Sequence, residues 1–182
     1  LVSGRRTYGF DLAQPFIRQT DFAGTNYFFY DLNAKMNYQF SQKDRIYLSG
    51  YFGRDVLTFA QPGRDFQFTL PYGNATATLR WNHLFTEKLF FNLSAIYNDY
   101  QFKAGFEQEE FNFDIFSGVR DFTAKFDFDY FPSNDHQVKT GIHATKHRLT
   151  PNIIRGSAGE TEFENTATAK YANEYAIYLQ DD

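Results

Sequence analysis

The 182-residue chain has no cysteine. Disulfide staples and thiolate metal sites are therefore excluded. Nor does it hold the run of ~20 apolar residues that a membrane-crossing helix needs, and its mean hydropathy is −0.54. That leaves membrane barrels open, because their polar inner residues dilute the average. An excess of positive charge is missing too. The formal net charge is −4, which argues against a nucleic-acid partner. No secretory leader is visible in Leu1-Val2-Ser3-Gly4-Arg5-Arg6, so it was removed or the chain is an interior piece. No stretch carries a convincing helical period.

Aromatic side chains are plentiful: 23 Phe and 13 Tyr bring the aromatic share to 20%. Aromatics favour strands, and the pattern agrees. In YFFYDLNAKMNYQF (27–40) every even position from Phe28 is apolar or aromatic, and Asp31, Asn33, Lys35, Asn37 and Gln39 fill the odd ones. A period of two marks a strand with two unlike faces. The pattern returns with Ile46, Leu48 and Phe52 opposite Tyr47, Ser49 and Tyr51. It returns again with Ala75, Ala77, Leu79, Trp81 and Phe85 opposite Thr76, Thr78 and Arg80, and in Leu89–Asn98. FTAKFDFDY sets Phe122, Ala124, Phe126, Phe128 and Tyr130 against Thr123, Lys125, Asp127 and Asp129. Weaker runs follow at 137–147 and 174–182, and LVSGRR reads as one more short strand. The total is eight strands or partial strands.

Short polar connections at 41–44, 86–88 and 132–136 alternate with long ones at about 7–26, 58–72, 101–112 and 148–166. A meander whose two ends face different compartments does this: outer-membrane barrels have short periplasmic turns and longer extracellular loops. Tyr38, Phe40, Trp81, Phe85, Phe91, Phe128 and Tyr130 lie on the apolar faces near the short turns, where an inner aromatic girdle belongs. The expected fold is an all-β antiparallel transmembrane barrel meander over residues 1–182, apolar faces on outer-membrane lipid and polar faces lining a lumen. The lumen wall is then Asp31, Asn33, Lys35, Asn37, Gln39, Tyr47, Ser49, Tyr51, Thr76, Thr78, Arg80, Lys125, Asp127 and Asp129. Two other architectures are open: a complete eight-stranded barrel with a structural or adhesive role, and a soluble sandwich that binds a ligand.

Several phrases resemble the barrels of TonB-dependent outer-membrane receptors, particularly those of Bacteroidetes-type bacteria: LVSGRRTY (1–8), FFYDLNAKMNYQFSQKDRIYLSGYFGRD (28–55), GNATATLRWNHLF (73–85) and NEYAIYLQDD (173–182). The resemblance implies an interior fragment of a barrel of about 22 strands closed around a plug. It also implies energised uptake of a scarce or bulky solute through the TonB complex, with a surface lipoprotein as a candidate partner that the sequence does not decide. The plug and the TonB-contacting segment have no counterpart in these residues.

Chemistry is sparse. His143 and His147 are four apart, about 13 Å on a strand, too far to share one metal. Asp127 and Asp129 share a face at a spacing glycosidases also use, but Lys125 precedes them there and a solvated wall accounts for all three. Glu107, Glu109, Glu110 and Asp114 form an acidic patch by a long loop, Arg5, Arg6 and Arg18 a basic entrance to another, and His83 sits at an interface. No enzyme activity and no cofactor are expected.

Overall fold

The computed structural model describes residues 1–20, 23–61, 63, 65–133, 135–165 and 167–181. Among these residues nine strands and one short helix follow one another: β1 (Val2–Arg6), α1 (Gly9–Ile17), β2 (Asn26–Gln39), β3 (Asp44–Ala60), β4 (Phe66–Thr86), β5 (Leu89–Gln108), β6 (Phe111–Tyr130), β7 (Val138–Ala158), β8 (Thr161–Glu164) and β9 (Lys170–Asp181). All strands join one antiparallel sheet in chain order from β1 to β8. β7 is long enough to serve two partners: β8 pairs with Arg155–Ala158 and β9 with Val138–Leu149.

Two expectations are corrected. The long connections are mostly strand. Only residues 61–65 separate β3 from β4, and only Glu109 and Glu110 separate β5 from β6. The acidic patch is thus a hairpin tip with Glu109 at φ 50°, and Asp114 stands in β6. The second correction is α1, placed in a stretch taken as loop. Phe10, Ala13 and Ile17 have helical spacing, but the helix is only nine residues long with Pro15 inside it and no side-chain cap. Pro15 cannot donate to the carbonyl of Asp11, so the local signal is weak. Gln14 Nε2 donates to the Thr25 carbonyl at 3.3 Å and Phe10 meets Tyr27 edge-on, ring centres 6.4 Å apart, which ties the helix to the start of β2.

Register carries each face across the sheet. Met36, Leu48, Leu79, Ala95, Ala124, Ala144 and Tyr175 form one row of partners, and Lys35, Ser49, Thr78, Ile96, Thr123, Thr145 and Glu174 form the next. Adjacent rows point to opposite sides. Among the described residues no hydrophobic side chain is buried: Leu32 is 50% exposed, Met36 61% and Ile142 54%. The buried positions Asp31, Gly53, Ser94 and Gly141 all have the polar parity, so the polar side is the more enclosed one. Among the described residues every strand lies in one sheet and no second layer covers the apolar side, so the two-sheet sandwich is lost. The complete eight-stranded barrel needs its terminal strands to pair. Among the described residues β1 pairs with β2 alone and β9 with β7 alone.

Gly141 marks a close approach on the polar side. A Cβ there would meet the Tyr178 ring at 2.5 Å, Asp127 Oδ1 at 2.6 Å and the Phe126 carbonyl oxygen at 2.8 Å. Gly141→Val is expected to destabilise the sheet by about 1–3 kcal/mol, read as a shifted urea midpoint of the detergent-solubilised protein. A loss under about 0.5 kcal/mol, ordinary for a surface change, would contradict the approach.

Candidate functional site

Long strands bring polar side chains from distant parts of the chain onto one enclosed surface. All fourteen residues expected on a lumen wall share it: Asp31, Asn33, Lys35, Asn37 and Gln39 from β2, Tyr47, Ser49 and Tyr51 from β3, Thr76, Thr78 and Arg80 from β4, and Lys125, Asp127 and Asp129 from β6. They bond across strands. Asp31 pairs with Arg5 of β1, Gln39 Oε1 accepts from Arg45 at 2.6 Å, and Thr76 donates to Asn98 at 2.9 Å. Asn82 meets Asn92, which donates to Asp129 at 3.3 Å. Asp127 Oδ1 lies 2.9 Å from His143 Nε2 and accepts from the Tyr178 hydroxyl at 3.0 Å. His147 Nδ1 lies 2.8 Å from Asp121.

These contacts give each small cluster cross-strand partners. The two histidines serve different carboxylates, and Asp127 and Asp129 answer to different neighbours, so each group is spent on cross-strand contact. Among the described residues no three His, Cys, Asp or Glu side chains gather as metal ligands would. Arg5 and Arg6 split: Arg5 turns to Asp31 on the polar side, while Arg6 lies over the rings of Phe28 and Tyr8 on the apolar side.

The aromatics near the turns form a contact chain on the opposite side. Trp81 meets Phe91 edge-on at 5.9 Å between ring centres, Phe91 meets Phe128 at 4.8 Å, and Phe85 reaches Phe91 at 6.2 Å from a bulge at the end of β4. Tyr38, Phe40 and Tyr130 are exposed on the same side, at 66%, 51% and 45%. One carboxylate holds the edge of this cluster. Asp44 Oδ1 accepts the Trp81 indole N–H at 3.0 Å and lies 2.6 Å from His83 Nδ1, and Oδ2 accepts from Ser41 at 2.6 Å. The His83 ring packs edge-on against Phe85 at 4.6 Å. Trp81 thus has apolar rings on one side and a polar anchor on the other, as an interfacial indole requires. The sequence offered no sign that Asp44, inside a polar turn, is the anchor.

At the other end of the strands the two faces exchange character. In β6 the apolar parity is Phe122, Phe126 and Phe128 low down, but above Gly118 the rings of Phe111 and Phe113 lie on the polar-parity side. β4 and β5 do the same with Phe66, Phe68 and Phe106. Phe106 stacks on Phe113 at 5.4 Å and meets Phe66 edge-on at 5.4 Å, while Phe111 stacks on Phe163 at 6.4 Å. The outward positions here are Gln67, Glu107, Asn112 and Asp114, all exposed. No slip causes this. The β5–β6 register is unbroken from Leu89↔Tyr130 to Gln108↔Phe111, so side-chain direction is constant and the surroundings change.

No protein-family profile matches the chain, and no curated protein matches it in sequence. Among solved structures it is similar to the ferric yersiniabactin uptake receptor FyuA from Yersinia pestis, with a TM-score of 0.58 and 10% identity. The match covers 86% of this chain and 26% of that one, so the chain spans about a quarter of the receptor's length. The likeness shows the fold: an antiparallel meander matching part of a β-barrel.

The hydrogen bond from Ser41, and then that from His83, hold the Asp44 carboxyl below the usual aspartate range, against a smaller opposing effect of burial. With the folded value below the unfolded ~3.9, the stability from this group is complete above that unfolded value. It is lost as pH falls through the lowered native one. Asp44→Asn should therefore cost stability at pH 6 and cost much less at pH 2.5, measured by thermal unfolding of the solubilised protein. An equal cost at both would show that the carboxylate charge is not involved.

Proposed function

We propose that the chain is part of the barrel of a TonB-dependent outer-membrane receptor that imports a scarce or bulky solute. The observation that carries this is the exchange of faces along unbroken strands. β5 and β6, paired without a slip, each run 20 residues, about twice the 9–11 that cross a bilayer. The lower half turns its apolar side outward, as hydrocarbon demands, and the upper half turns polar residues outward, as water demands. A soluble sheet has no reason to make that change; a sheet rising out of a membrane does.

In this reading Tyr38, Phe40, Trp81, Phe85, Phe91, Phe128 and Tyr130 form the periplasmic-side girdle. The polar wall from Asp31 to Asp129 faces a plug and the solute path, and the upper phenylalanines line the mouth. Among the described residues the two sheet edges, β1 and β9, have no outer partner strand, and hydrocarbon does not tolerate the unpaired backbone groups this leaves, so in this reading further strands complete the barrel. The likeness to FyuA, an uptake receptor, supports this architecture. The phrases from LVSGRRTY to NEYAIYLQDD favour the Bacteroidetes-type branch, with a surface lipoprotein as a candidate partner and no catalytic step.

Nitroxide labels test the membrane placement. Labels at Met36, Leu79 and Phe126 should be relaxed preferentially by oxygen, and labels at Lys35, Thr78, Gln67 and Asn112 by an aqueous nickel chelate. Water-dominated relaxation at the first three would sink the reading. Leu79→Arg should cost about 2–4 kcal/mol in a bilayer, with Thr78→Arg far milder. Transport is tested by comparing medium depletion by wild-type, gene-deleted and tonB-disrupted cells of the source bacterium. A solute spared by both mutants is the expected result, and its absence would remove the uptake role.

A further inference from the structure

Just above the apolar belt the outward parity carries Arg54, Lys103 and Arg120. Higher still, the inner side changes more sharply. Its last carboxylate is Asp55, which accepts the Tyr27 hydroxyl at 2.8 Å. Above that row the inner positions of β3 to β8 are phenylalanine, leucine, isoleucine, alanine and glycine. Among the described residues of these strands, only Gln108 and Thr161 there carry a side chain that can hydrogen-bond. The rings touch across strands: Phe59 meets Phe66 and Phe106 meets Phe111, each edge-on with centres 5.9 Å apart. Phe111 and Phe163 stay 41% and 40% exposed. At ~4.8 Å between strands and ~3.4 Å per residue, this wall is about 24 Å wide and about 14 Å tall.

Such a wall cannot repay the desolvation of a sugar or another polyhydroxylated solute, whose hydroxyl groups would find no partner on it. It suits an apolar body. The charge above it has one sign. Three hairpin tips stand side by side, the Glu109 N–H donating to the Asp65 carbonyl at 3.1 Å and the Gly159 N–H to that of Glu110 at 2.9 Å. They present Asp65, Glu109, Glu110 and Glu160, all exposed. In the stretches 57–70, 104–115 and 152–165 the one described cation is Arg155, and Glu164 takes it at 2.8 Å. A rim of carboxylates draws in cations and repels anions. The faces of phenylalanine rings attract cations as well, so rim and wall ask for the same occupant.

We propose that the solute held at this wall is an apolar organic cation, its body against Phe106 and Phe113 and its positive group beneath Glu109, Glu110 and Glu160. The inference rests on the uptake reading above and names the substrate class. An exposed carboxylate is worth about twofold in holding a cation, so removing three should weaken binding about eightfold. An exposed ring face adds about threefold, so removing two should weaken it about tenfold.

The test uses the full-length protein purified in uncharged detergent and melted with increasing tetraphenylphosphonium, or with tetraphenylborate, an anion of the same shape. The phosphonium should raise the wild-type Tm saturably and the borate should not. E109Q/E110Q/E160Q, changed only at exposed tips, should raise the half-saturating phosphonium concentration about eightfold. F106L/F113L, which keeps the wall apolar and removes two rings, should raise it about tenfold. Equal stabilisation by the borate, or an unaffected E109Q/E110Q/E160Q variant, overturns the positive charge of the solute. No stabilisation by either ion, or an unaffected F106L/F113L variant, overturns the wall as its binding surface. Each of these leaves the uptake reading standing, because the medium-depletion comparison uses neither probe. Depletion that is the same with and without the gene and tonB defeats both.

Discussion

A sheet that passes through hydrocarbon must satisfy each backbone N–H and C=O from a neighbouring strand, because nothing else there can accept or donate. In the membrane reading proposed above, the rest of the structure follows from that constraint. The β5–β6 ladder runs without a slip over the full length of both strands. The β4–β5 irregularity falls at Leu84/Thr86, beside the turn, and the β6–β7 one at Phe116/Gly118, above the apolar belt. In that reading, irregular pairing is kept to levels where water can reach it. With the backbone spent on the ladder, only side chains remain to tell one compartment from another.

They do so by three transitions along each strand. Near the turns, rings meet a polar anchor at Asp44. Along the belt, outward residues are apolar and exposed while inward ones exchange hydrogen bonds between strands. Above the belt, cations appear outward, and then the phenylalanines move to the inner side. Among the described residues no hydrophobic core is buried, which in a water-soluble domain of this size would mean an unstable fold and which fits a sheet that borrows its apolar contact from outside itself.

Much of this was legible in the sequence, and the misses have separate causes. Alternation in 27–40 and 122–130 gave strands, their two unlike faces and the positions of the short turns, because one side there is uniformly apolar. The same rule failed over 58–72 and 101–112. Phe66, Phe68 and Leu70 alternate as cleanly as Ala75, Ala77 and Leu79, but in the opposite phase. Read as one strand, the phase change looks like a break, and a break reads as a loop. Helix α1 was hidden by its length and by Pro15. Cross-strand partners such as Asp127 with His143 and Tyr178 were out of reach, since register between strands is not written in either strand alone.

The strict neighbour-to-neighbour order of the sheet also gives assembly a direction. From β2 to β7 each strand pairs with the one made just before it and the one made just after, across connections as short as Glu109-Glu110. Closing such short loops costs little chain entropy, and contacts this local in sequence favour fast formation. No strand in that series waits for a remote partner with its edge bare. The meander can zip shut hairpin upon hairpin, each finished strand serving as template for the next.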